Sequence, residues 1–133
     1  MERLTDISCK LFAWIDRMLL QKFPEDTVAL CFNLYECEDN MWSIELIGTD
    51  EFDAEDDDWA CDEVVAFRKN PFVFKFSADW EEVLEIVVRM IRKYLEKGIY
   101  ADKIRHYKGV AVGFVDGDLE IIYQKENETT QLS

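Results

Sequence analysis

The sequence predicts an α+β domain in which an antiparallel sheet of about five strands is covered by two helices. Three observations point there. Apolar residues recur at helical spacing in two segments, they alternate with period two in several others, and Asp116-Gly117 lies between two alternating stretches as a tight hairpin requires.

The first helix is expected from about Asp6 to Phe23, where Ile7, Leu11, Trp14, Ile15 and Met18 share one face, Thr5 or Asp6 is available as N-cap and Pro24 follows the end. From Val28 to Cys37 the period becomes two, with Val28, Leu30, Phe32 and Leu34 opposite Ala29, Cys31, Asn33 and Tyr35. Glu38, Asp39 and Asn40 supply a turn, and Trp42, Ile44 and Leu46 then alternate with Ser43 and Glu45, so two antiparallel strands are expected. Beyond Gly48 a loop of about twenty residues is anticipated, interrupted at most by a short strand over Val64 to Phe67. A further strand starts at Pro71 and carries Phe72, Phe74 and Phe76.

The second helix is the clearest element. Trp80, Val83, Leu84, Val87, Val88, Ile91, Tyr94 and Leu95 trace one face, Ser77 or Asp79 caps the start, and Gly98 stops it. Glu81, Glu82 and Glu85 in its first turns and Arg92, Lys93 and Lys97 in its last complement the helix dipole. The chain closes with a hairpin, Val110, Val112 and Phe114 against Leu119, Ile121 and Tyr123, for which Asp116-Gly117 predicts a type I′ turn with positive φ at both residues. A polar tail is expected from about Lys125.

With 133 residues, 49% hydrophobic and 14% aromatic, the chain is read as one domain over residues 1–133 that folds without disulfides, metals or cofactors. Cys9, Cys31, Cys37 and Cys61 form no CxxC pair and are expected as buried free thiols in a reducing cytoplasm. Met1 to Asp6 lacks the basic stretch and unbroken apolar run of a secretory signal, and no apolar run has the length of a membrane span.

Charge is distributed unevenly. Asp50, Glu51, Asp53, Glu55, Asp56, Asp57, Asp58, Asp62 and Glu63 bring nine carboxylates into one stretch without a Lys, Arg or His, in a chain of net charge −14. The net negative charge argues against binding nucleic acid or anionic lipid through the whole surface and makes a cationic protein partner the natural complement. Phe52, Trp59 and Cys61 are threaded through the carboxylates, so two readings stand side by side: a flexible, solvated charge run that keeps the protein soluble, and an ordered loop that anchors itself or a partner. Two places for Trp59 remain open: an interface anchor, or a plug beneath its own loop.

Catalytic signatures are sparse. A calcium loop begun at Asp53 puts Asp58 and Val64 where the EF-hand template needs Gly and Glu. His106, the single histidine, follows Asp102 by one helical turn, which leaves a small enzyme as a minor reading, and scattered cysteines beside one histidine give no zinc spacing. The glycines form no phosphate-cradling loop. Arg89, Arg92, Lys93, Lys97, Lys103, Arg105 and Lys108 gather in the second half, where internal pairing and closure of a helix C-terminus are their simplest use.

Asp58, Trp59, Ala60, Cys61, Asp62, Glu63 and Val64, followed by Arg68, together with the Gly109 to Gly117 hairpin, resemble small immunity proteins of bacterial polymorphic-toxin and contact-dependent systems. The resemblance spans much of the second half and implies a cytoplasmic, non-catalytic protein that neutralises a cognate toxin by binding it. A basic toxin would be steered to the acidic loop by charge, with Phe52 or Trp59 as the aromatic anchor. An acidic adaptor or regulatory protein with another cationic partner is the alternative.

Overall fold

The computed structural model describes residues 3–125, so the expected tail after Lys125 lies outside the described residues. Helix α1 (Leu4–Leu19) leads into β1 (Ala29–Glu36) and β2 (Met41–Thr49); a 3₁₀ turn (Asp57–Cys61) precedes β3 (Glu63–Ala66) and β4 (Phe72–Lys75); α2 (Trp80–Lys97), α3 (Ala101–Arg105), β5 (Gly109–Phe114) and β6 (Glu120–Gln124) complete the chain. The class is α+β as expected.

The number of strands is close to the five expected, and the expectation of a purely antiparallel sheet needs correction. The sheet has six strands and is mixed: the order is β3-β2-β1-β5-β6, β4 shares β2 with β3, and β1 pairs in parallel with β5. The reason is topological. A strand that reaches the next through a helix returns in the same direction, so β4 and β5, joined by α2, are both parallel to β1. Alternation within each strand was readable, but direction is a property of the connection.

Local chemistry explains the helix ends. Asp79 Oδ1 accepts from the Glu82 N–H at 2.9 Å and starts α2, and the Gly98 N–H closes it on the Tyr94 carbonyl. In α1 the N-cap position falls on Arg3, whose side chain makes no capping bond, so neither Thr5 nor Asp6 caps it, and the helix stops at Leu19. A third, single-turn helix follows α2, unanticipated because five residues show no periodicity.

The hairpin turns also differ from expectation. Positive φ occurs at Asp39 (59°) and Asn40 (61°), and at no glycine among the described residues. The type I′ signature therefore belongs to the β1–β2 connection, where the Cys37 N–H bonds the Met41 carbonyl at 2.9 Å. Between β5 and β6 the chain takes a longer loop, begun by a turn from the Gly117 N–H to the Phe114 carbonyl.

Both helices pack on one face of the sheet. Ile7, Leu11, Trp14 and Ile15 from α1 and Val83, Val87, Ile91 and Tyr94 from α2 meet Leu30, Phe32, Leu34, Ile44, Leu46, Val110 and Val112 in the main core. Trp14 and Trp42 are buried there with their indole N–H groups satisfied by the carbonyls of Asn70 (2.7 Å) and Phe76 (2.8 Å). Trp80 departs from its expected place in the stripe. It opens α2 and stays 51% exposed, edge-on to Phe114.

Candidate functional site

The opposite face of the sheet is built from small residues. The registers set Ala29 beside Gly109 and Cys31 beside Ala111 on one flank and Ile47 on the other, which leaves a shallow trough. The acidic loop closes over it. Phe52 (9% exposed) and Trp59 (3%) meet edge to face at 5.1 Å and pack with Ala29, Cys31, Ile47 and Ala111 in a second apolar cluster. A Cβ on Gly109 would lie 2.1 Å from the Phe52 ring, so the absent side chain is what seats that ring.

Trp59 is therefore a plug beneath its own loop. Its indole is nine-tenths out of water, and a partner meeting the folded protein cannot use it as an anchor without unseating the loop. Its Nε1–H is buried and finds no acceptor among the described residues, unlike those of Trp14 and Trp42. The desolvation cost of such a donor, about 1–3 kcal/mol, is offset by burial of the ring.

The carboxylates order the loop as well as charge it. Asp53 accepts from the Glu55 N–H at 2.9 Å, Asp56 caps the 3₁₀ turn through the Asp58 N–H at 3.0 Å, and Asp57 Oδ2 accepts from the Leu119 N–H at 3.1 Å. The last bond ties the loop to the β5–β6 connection. Backbone bonding from Asp50 N to Asp62 O closes its base. Asp50, Glu51, Asp53, Glu55, Asp56, Asp57, Asp58, Asp62 and Glu63 all keep exposed side chains, so the structure brings the nine together at the surface while turning Phe52 and Trp59 inward.

A smaller polar group borders this surface and escaped the sequence reading. Glu45 is buried on the outer face of β2, accepts from the Tyr35 hydroxyl at 3.3 Å and lies 3.7 Å from Arg68, which also holds Glu63 through two contacts of 2.6 and 2.8 Å. Burial and the neighbouring Glu45 raise the Tyr35 pKa. The signal was a glutamate in an alternating strand, indistinguishable by pattern from a solvated one.

The cysteines are free, but Cys31 alone among them is buried; Cys9, Cys37 and Cys61 are exposed, which corrects the expectation of buried thiols. Burial first, and the Asp57 carboxylate second, push the Cys31 thiol up to about 12.

The His106 region does not form the Asp102–His106 pair of the minor enzymatic reading. Asp102 gives its carboxylate to Arg105, while the His106 ring is exposed and packs against Tyr107 at 5.7 Å. Four of the seven basic residues gathered in the second half work internally: Arg105 bonds the Leu95 carbonyl at the end of α2, Arg89 pairs with Glu85 and Arg92 with Glu120, and Lys103 reaches the Leu19 carbonyl. Among the described residues no group of three or more His, Cys, Asp or Glu side chains converges as metal ligands do, and no helix is long and apolar enough to cross a membrane.

In comparisons with known proteins, no family model, curated protein or solved structure matches the chain.

Proposed function

We propose that the protein is a non-catalytic binding protein that neutralises a cationic protein, and that its partner is a bacterial toxin for which it serves as the cytoplasmic immunity protein. The observation that carries the binding half is the acidic loop itself. Nine carboxylates stand on a backbone held by two buried rings, an Asp57 bond to Leu119 and a closed base, so the charge occupies a fixed patch. A fixed patch attracts a cationic surface over roughly a Debye length, about 8 Å at physiological salt, and loses less entropy on docking than a flexible run. The toxin half rests on the resemblance around Asp58 to Val64 and Arg68.

The test is co-expression with the product of the adjoining gene. The proposal expects that product to arrest growth alone, to be harmless beside this protein, and to co-purify with it in a complex that weakens with salt. An adjoining product that is neither toxic nor bound would defeat the immunity reading, and a salt-insensitive complex would defeat the acidic-loop reading.

A further inference from the structure

Trp80 is the indole the fold leaves open. Trp14, Trp42 and Trp59 are 2–3% exposed, whereas Trp80 is 51% exposed at the first position of α2. It forms one wall of a cleft of about 450 Å³ at the C-terminal ends of β1 and β5, with Phe114 as further aromatic lining, Leu34 and Tyr35 as part of the strand wall and Val115, itself 55% exposed, among the lining. Glu36 and Asp116 stand on the rim, and the lining contains no lysine or arginine. Trp80 also borders a second groove along α2, but the arginines there, Arg89 and Arg92, are already paired with Glu85 and Glu120.

An open indole wall under a carboxylate rim recognises one kind of side chain well. A guanidinium stacks flat on the aromatic face and forks two donors to a carboxylate, which an ammonium cannot do as a pair. We infer that this cleft is a second docking point, which receives an arginine side chain from the cationic protein partner. It opens at the C-terminal end of β1, whereas the acidic loop leaves β2 at Thr49 beside Ala29 and reaches the β5–β6 connection through Asp57, so a partner would be held at two neighbouring places. Charge at the loop governs encounter, and the arginine in the cleft supplies residence.

The inference rests on the cationic-partner proposal, but it can be tested apart from it. The probe is the peptide acetyl-Gly-Leu-Arg-Leu-Gly-amide, compared with its citrulline version, which keeps the shape and loses the charge. Because Trp80 is the exposed indole, acrylamide quenching and its indole N–H resonance report occupancy of the cleft. The arginine peptide is expected to shield Trp80 saturably in about the millimolar range, and the citrulline peptide to bind about tenfold more weakly. Glu36→Gln with Asp116→Asn, which leaves the core untouched, is expected to weaken binding about tenfold as well. Neutralising Glu55, Asp56 and Asp58, which leaves the Asp57 bond to the β5–β6 connection in place, should leave the shielding unchanged, so failure of the acidic-loop proposal would not imitate failure here. Equal binding of the two peptides, absence of shielding, or loss of shielding in the loop variant rather than the rim variant would each overturn the inference.

Discussion

The two faces of the sheet are covered in opposite ways. On one, α1 and α2 bring their own periodic stripes, and large side chains interdigitate with Leu30, Phe32 and Leu34. On the other, an irregular, highly charged loop is held down mainly by Phe52 and Trp59 over a floor of Ala29, Cys31, Gly109 and Ala111. The first cover is a property of each helix. The second exists because strands far apart in sequence put small residues side by side, and so the surface that carries the charge depends on a few contacts.

The largest effect separating the faces is expected from Phe32→Ala, which empties the helical side and should cost about 3–5 kcal/mol by urea unfolding, lowering protection against hydrogen exchange everywhere. Trp59→Ala should cost about 2–3 kcal/mol, because the loop collapses into part of the space. Its loss of exchange protection should concentrate between Asp50 and Asp62, and global loss there would mean the faces are not independent. Partner binding should change only as far as folding does; a faster dissociation rate at unchanged stability would return Trp59 to the interface.

The buried thiol gives the outer face a pH signature. A thiol pushed up from 9.0 to about 12 contributes stability that is complete below pH 9 and is lost as pH climbs toward the folded value, since the unfolded chain ionises first. Cys31→Ala should therefore flatten the fall in stability between pH 9 and 10.5 by about 2 kcal/mol relative to the parent, leaving the contribution of raised tyrosines such as Tyr94 in both. An equal slope in the two proteins would place Cys31 in water. Gly109→Ala tests the floor directly: displacement of Phe52 should cost about 1–2 kcal/mol and loosen the loop, with the helices unaffected.

The smallest effect on stability belongs to the charge. Glu55→Gln with Asp56, Asp57 and Asp58→Asn keeps acceptors for the Asp58 and Leu119 N–H groups, and should shift stability by less than about 1 kcal/mol. Association with the partner should nonetheless slow and its salt dependence flatten, as stopped-flow mixing at two ionic strengths would show. Unchanged association would separate the acidic loop from function.

Much of the helical side was legible in the sequence, because periodicity and the Asp79 cap are local. Trp80 fitted the same stripe, but as the first residue of α2 it has no preceding turn to hold it against the core. The outer side was legible in composition alone. Nine carboxylates were evident, but the inward turn of Trp59 depends on a trough made by β1 and β5, whose parallel pairing no local pattern records. Likewise Asp116-Gly117 carried the stronger turn signal, yet the positive φ angles fell to Asp39 and Asn40, where eight paired positions fix the β1–β2 register.

The parallel pairing of β1 with β5 also orders events in time. Ala29 acquires its neighbour Gly109 only after nearly the whole chain has been made, although the loop that will rest on both is synthesised much earlier. A chain emerging from the ribosome carries all nine carboxylates of the loop long before the seat for Phe52 and Trp59 is completed by Gly109 and Ala111. Pairings between such distant segments form late and slowly. The charged surface is thus among the last features to take shape, and a chain truncated before β5 would display the same carboxylates without the arrangement that makes them a surface.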